Sequence, residues 1–183
     1  GGALSGKLIS KLTGSAANVV AALADLTVAP DASTVTLSAD VASAAHIAAL
    51  EGNAGITTID GTLVNKMTGT ANALVQAFTD LDTDPTGNPT ITFSGEATAA
   101  DINTVHGKTT GLMTGTAITK ITGIAADIIT AFTNLDTDPT GATITITDKP
   151  SAAQLVTINS ATTAAITLEK TDGALEGTAQ HLS

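Results

Sequence analysis

The residues best placed to do chemistry are the acids and hydroxyls of the run DTDPTG, which stands at Asp82 to Gly87 and again at Asp136 to Gly141. Asp82, Asp84 and Thr86, like Asp136, Asp138 and Thr140, put side-chain oxygens at alternate positions ahead of a glycine. That is the spacing of the first half of an EF-hand-type loop, which would hold Ca2+. The second half departs from it, because Phe93 and Thr147 stand where a bidentate Glu belongs. The same letters also spell a type I turn, with Asp84 or Asp138 first, Pro85 or Pro139 second and Gly87 or Gly141 fourth. The matching stretch near the N-terminus reads TVAPDA from Thr27, so the pattern tolerates loss of the acids. Turn and calcium loop are the two readings.

His46, His106 and His181 are the other candidates for chemistry, and they do not converge. His46 takes the helix position filled elsewhere by Asp101 and Gln154, while His106 and His181 have no counterpart. A metal centre or a Ser-His-Asp arrangement needs several such groups in one place, so the expectation is that the chain is not an enzyme. Asp25, Asp80 and Asn134 recur near helix ends, and Asp127 lies near a helix start, where a negative charge favours the helix dipole.

These runs belong to a repeat. Lys11, Lys66 and Lys120, and likewise Pro30, Pro85 and Pro139, recur at intervals of 55 and then 54 residues. A fixed period of this length predicts stacked supersecondary units. The domain reading is a single repeat domain over 1–183, with repeats 1–55, 56–110 and 111–164 and a partial one at 165–183. The chain begins at Gly1 inside one repeat and ends at Ser183 just after another has begun, as expected of a processed protein or a piece of a longer array.

Each repeat divides into two strand-helix halves, A and B. The B strands are TVTLS from Thr34, TITFS from Thr90 and TITIT from Thr143. Their alternation puts Val35 and Leu37, Ile91 and Phe93, and Ile144 and Ile146 on one face and threonines on the other. Helices then start at Ser43, Thr98 and Ser151, where Asp101 or Gln154 stands in the capping-box position. The A helices are expected at Ser15 to Leu26, Thr70 to Leu81 and about Ile124 to Leu135, each with an apolar stripe at helical spacing. Their strands end at Gly14, Gly69 and Gly123, read as sharp strand-to-helix turns. Strict alternation there sets Ser10, Asn65 and Thr119 beside Leu12, Met67 and Ile121, which requires a bulge or a buried polar ladder.

Strand and helix alternating about every 27 residues predicts parallel strands with helical crossovers, normally right-handed. Because the B strands alternate cleanly, the fold expected is α/β, a one-sided right-handed β/α repeat solenoid with a parallel sheet. The alternative is a doubly wound parallel α/β sheet.

The composition narrows the function. The chain has 183 residues, 43% of them apolar, which excludes intrinsic disorder. Its net charge is −10, its seven basic residues are all Lys, and only Phe78, Phe93 and Phe132 are aromatic. Nucleic-acid binding therefore lacks its electrostatic and its stacking contributions. No apolar run reaches membrane-spanning length, so no membrane insertion is expected. With no Cys, disulfides and thiolate sites drop out.

The runs SAAQL, TAADI, KITGIAADI and TITIT resemble the Thr- and Ala-rich repeat arrays of very large secreted proteins of cyanobacteria and other aquatic bacteria. The resemblance spans nearly the whole chain, and it implies an extracellular or cell-surface structural role with no catalytic residues. Leucine-rich repeats are a more distant architectural relative, with a shorter period and a Leu and Asn signature missing here. The function expected is a structural module of a surface layer, adhesin or filament, self-associating head to tail through Gly1 to Gly14 and Ala165 to Ser183. The alternative is a binding module, with Ca2+ at the acidic runs or with carbohydrate or ice on the Thr face.

Overall fold

Alternating β-branched residues and Ala-rich amphipathic stretches produce strands and helices in regular succession. The computed structural model describes residues 4–170, in the order β1 (Lys11–Gly14), α1 (Ala16–Ala24), β2 (Ser33–Leu37), β3 (Val41–Ser43), α2 (Ala44–Glu51), β4 (Ile56–Asp60), β5 (Lys66–Gly69), α3 (Ala71–Asp80), β6 (Thr90–Thr98), α4 (Ala99–His106), β7 (Met113–Gly123), α5 (Ala125–Asn134), β8 (Thr143–Ile146), α6 (Ala152–Ala161) and β9 (Ile166–Leu168). The fold is α/β with parallel strands, as expected. Contacts group the described residues into two compact parts, one up to Gly69 with Ala73–Ile91, the other Thr70–Asn72 with the residues from Thr92 onward.

In the first part the strand order is β1-β2-β4, with β3 beside β5. Lys11 pairs with Thr34, Thr34 with Thr58, and Val41 with Lys66, all in parallel. Strand β2 stops at Leu37 because Asp40 folds back, its N–H donating to Ser38 O at 2.8 Å while its Oδ1 accepts the Val41 N–H. Strands β3 and β4 have no counterpart in the sequence reading: β3 is only three residues long, and the letters of β4, ITTID, do not alternate. Val35, Leu37, Ile47, Leu50, Ile59, Met67 and Leu74 are wholly buried, uniting strand and helix stripes in one core.

In the second part the order is β6-β7-β8-β9. Lys120 pairs with Thr143, and Ile144 in turn with Ile166, again in parallel. Helix α5 packs on α4 and α6, and Phe93, Ile102, Met113, Ile121, Ile128, Ile144 and Ile146 are wholly buried.

The anomalous A strands resolve without a buried polar ladder. Ser10, Asn65 and Thr119 are exposed, and the buried residues around the last two are Val64 with Met67 and Ile118 with Ile121, three apart. The strand rotates by one residue at this place. The main-chain carbonyls of Ser10 and Asn65 accept the N–H groups of Thr34 and Thr90, each at 3.0 Å, so the backbone stays satisfied.

The strands turn into helices at these glycines as expected, β1, β5 and β7 ending at Gly14, Gly69 and Gly123 and the next helix starting two residues later, but without positive φ. Among the described residues positive φ occurs at Asn88 and Gly95, not at Gly14, Gly69 or Gly123. Gly69 and Gly123 are small because a Cβ there would lie 2.9 Å from the Cβ of Ala44 and of Ala99 respectively. At Gly69 and Gly123 close stacking, and not a left-handed backbone, fixes the residue type, whereas a Cβ at Gly14 would meet only Val19 Cγ2 at 3.5 Å.

Candidate functional site

The acidic runs follow helices α3 and α5 and lie against β4 and the start of β7 respectively. Asp82 and Ile59 bond reciprocally: the Asp82 N–H donates to Ile59 O at 3.0 Å, and the Ile59 N–H donates to Asp82 Oδ2 at 2.8 Å. Asp136 and Met113 repeat the arrangement at 2.9 and 2.7 Å. Each carboxylate thus extends the ladder by a rung that backbone alone does not supply. In the first repeat Thr27 holds the place, its N–H and its hydroxyl both donating to Leu4 O.

The middle residues of the two runs diverge. Asp84 is exposed, and Thr86 donates from both N–H and hydroxyl to Thr62 O. Asp138 is half-buried, with Oδ1 shielded from solvent and without a hydrogen-bond partner among the described residues. Burial raises its carboxyl pKa above the ordinary value. Thr140 O accepts the N–H and hydroxyl of Thr163 and the hydroxyl of Thr162. The turn is also displaced from the expected one: its closing bond runs from Ala142 N–H to Pro139 O at 2.9 Å, so Pro139 and not Asp138 is the first residue. Phe93 is wholly buried, and Thr147 donates its N–H to Gly123 O.

The histidines are separate. His46 joins a helix cap, its ring Nδ1 2.8 Å from Ser43 Oγ, while Ser43 Oγ accepts the His46 N–H. His106 ends α4 and is exposed, and His181 lies outside the described residues. Among the described residues no three His, Asp or Glu side chains group closely enough to hold a metal ion. No described helix is long and apolar enough to cross a membrane.

The sheet's hydroxyl face is real but mixed. Thr13 lies beside Thr36 and Thr34 beside Thr58 in one part; Thr122, Thr145 and Thr167 line up in the other. Lys11 and Lys120 sit in these rows, next to Thr34 and Thr143, and Asp60 follows Thr36. The hydroxyl and main-chain N–H of Thr62 hold the Asp60 carboxyl below the usual carboxylate range, with a smaller contribution from Lys11.

Two positioning residues escaped the sequence reading. Helix α5 begins after Ile124, which has no capping side chain, and Asp148 of the following half supplies the acceptor, taking the Ala125 N–H at 2.9 Å. Asn103 bridges helices, donating to Asp127 O and accepting from Asn134 Nδ2 at 3.0 Å. Both contacts join residues more than 20 positions apart, which local spacing does not reveal. A cavity of about 500 Å3 is lined by Leu155, Val156, Asn159, Ile166 and Leu168 and by none of these acids.

No family model matches this chain, and neither does any curated protein or solved structure.

Proposed function

We propose that this chain is a structural, non-enzymatic repeat module of an extracellular bacterial assembly, a one-sided right-handed β/α solenoid that associates head to tail. The observation that carries this reading is the apolar face at the last described half. Val156 is 49% exposed, and Ile166 and Leu168 are only half-buried beside the cavity. Val156 occupies in α6 the place that Asn103 occupies in α4, where the following helix α5 covers it. The face that no described residue after β9 covers at α6 and β9 is therefore the kind that each earlier half of this part offers to its successor. A second copy of the chain, built from the same kind of halves, is the occupant this reading assigns to it.

The repeated acids support a structural role as well. Asp82, Asp136 and Asp148 each accept a main-chain N–H from a residue 23 positions earlier, a packing role. Sedimentation of the intact chain across a concentration series tests the proposal, with Val156→Glu as the interface variant. Concentration-dependent growth that the variant suppresses is the expected result. A monomer at every concentration, or growth unchanged by Val156→Glu, removes head-to-tail assembly.

A further inference from the structure

Two peptide bonds in this chain join aspartate to proline, Asp84–Pro85 and Asp138–Pro139, and both lie inside the same seven letters, LDTDPTG. An Asp–Pro bond carries its own nucleophile, because the side-chain carboxyl reaches its own carbonyl carbon through a five-membered ring, with the advantage of an intramolecular reaction. Its leaving nitrogen belongs to a tertiary amide. With identical local sequence, any difference between the two bonds must come from the fold.

The fold treats them differently in two respects. The carbonyl oxygen of Asp138 accepts the Thr140 N–H at 3.1 Å, so a donor already sits where negative charge develops during attack on that carbonyl. At Asp84 the equivalent N–H, that of Thr86, donates to Thr62 O instead. Secondly, Asp138 Oδ1 is shielded and has no partner among the described residues, so no hydrogen bond restrains it, whereas Asp84 is exposed to water. Thr163 bonds to Thr140 O and holds the segment after the bond in place.

We propose that Asp138–Pro139 is a self-cleaving peptide bond, cut in mild acid through the Asp138 carboxyl, and that Asp84–Pro85 is cut more slowly in the folded protein. In the step, the neutral side-chain acid gives its proton to the Pro139 nitrogen as its oxygen attacks the Asp138 carbonyl carbon. The C–N bond breaks with its electron pair on nitrogen, leaving a secondary amine at Pro139 and a cyclic anhydride at Asp138. One solvent water then opens the anhydride to two carboxyl groups, and nothing is oxidised or reduced. Shielding of the Asp138 carboxyl keeps the reactive neutral acid populated at higher pH than at an exposed aspartate. The segments flanking the turn, 113–116 and 162–165, carry no ionisable side chain. On the turn itself the other acid, Asp136, is held by the Met113 N–H.

The test is to hold the intact protein in mildly acidic and in neutral buffer and to count cleavage products by denaturing mass spectrometry. Products ending at Asp138 should exceed those ending at Asp84 by about tenfold in the folded protein. In guanidinium the two should become equal, since the surrounding letters are the same. Asp138→Ala should remove the cut. Should that variant fail to fold, the comparison of folded with unfolded wild type decides alone. Equal yields at the two bonds in the folded state, or no product at Asp138, overturn the proposal.

Discussion

At the scale of single residues, the acids that resemble calcium ligands act on the backbone. Asp82→Ala and Asp136→Ala each leave a main-chain N–H, of Ile59 or Met113, without its acceptor, and each should cost about 1 kcal/mol in urea unfolding. Asp84→Ala touches an exposed side chain and should stay within about 0.5 kcal/mol. A calcium titration is therefore read on Asp84→Ala: a calcium-induced rise in Tm that this variant loses would place the ion at the turn. Two carboxyls also oppose one another in acid. Asp60, with a lowered pKa, contributes stability above the ordinary carboxylate range that is lost as pH falls through its folded-state value. Asp138, with a raised pKa, has the opposite sign, and stability is gained as pH falls from that value to the ordinary one. Asp60→Asn should flatten the acid limb of a Tm–pH profile, and Asp138→Asn should raise the neutral Tm and steepen that limb.

At the scale of elements, spacing between neighbouring halves sets the residue types. Gly61 and Gly115 donate to Thr83 O and Thr137 O at 2.9 and 2.8 Å, and Gly6 does the same to Val28 O. A Cβ at Gly61 would lie 2.8 Å from Leu81 Cδ1 and 2.9 Å from Thr83 O, so Gly61→Ala should cost about 1–3 kcal/mol. Gly87→Ala meets nothing within 4 Å and is the matched control, expected within about 0.5 kcal/mol. Helix starts form a second class. Ser151 and Gln154 close a complete capping box, and Ser151→Ala should cost about 1 kcal/mol by chemical denaturation. The Asp148→Ala variant should cost a similar amount although it lies outside the helix it caps, α5.

At the scale of the whole molecule, a ladder built mainly from neighbour contacts should be protected unevenly. Strand β8 is paired on both sides, by β7 and β9, whereas β9 has one described partner. Amide exchange should be slower in β8 than in β9 for the dilute protein. If a second copy covers the face at Val156 and Leu168, protection of β9 should rise with protein concentration. Protection of β9 that is independent of concentration would argue that nothing docks there.

Much of this was legible in the letters. The alternation of Val35 and Leu37 and of Ile144 and Ile146 names the buried strand face, because side chains change sides at every residue. The helix starts at Ser43, Thr98 and Ser151 are equally local, since a cap is made within one turn. The sequence by itself determined these elements, their parallel succession and the acidic, Cys-free character of the chain. The tertiary structure decided the rest, mostly through groups about 20 or more residues apart in the chain. It gave Asp82 and Asp136 to the backbone N–H groups of Ile59 and Met113, and Asp148 to the N-terminus of α5. It made Gly69 and Gly123 a matter of space against Ala44 and Ala99. It also set two copies of LDTDPTG in unlike surroundings, because an identical local sequence meets whatever lies beside it: Thr62 O accepts the N–H of Thr86, and Asp138 O that of Thr140.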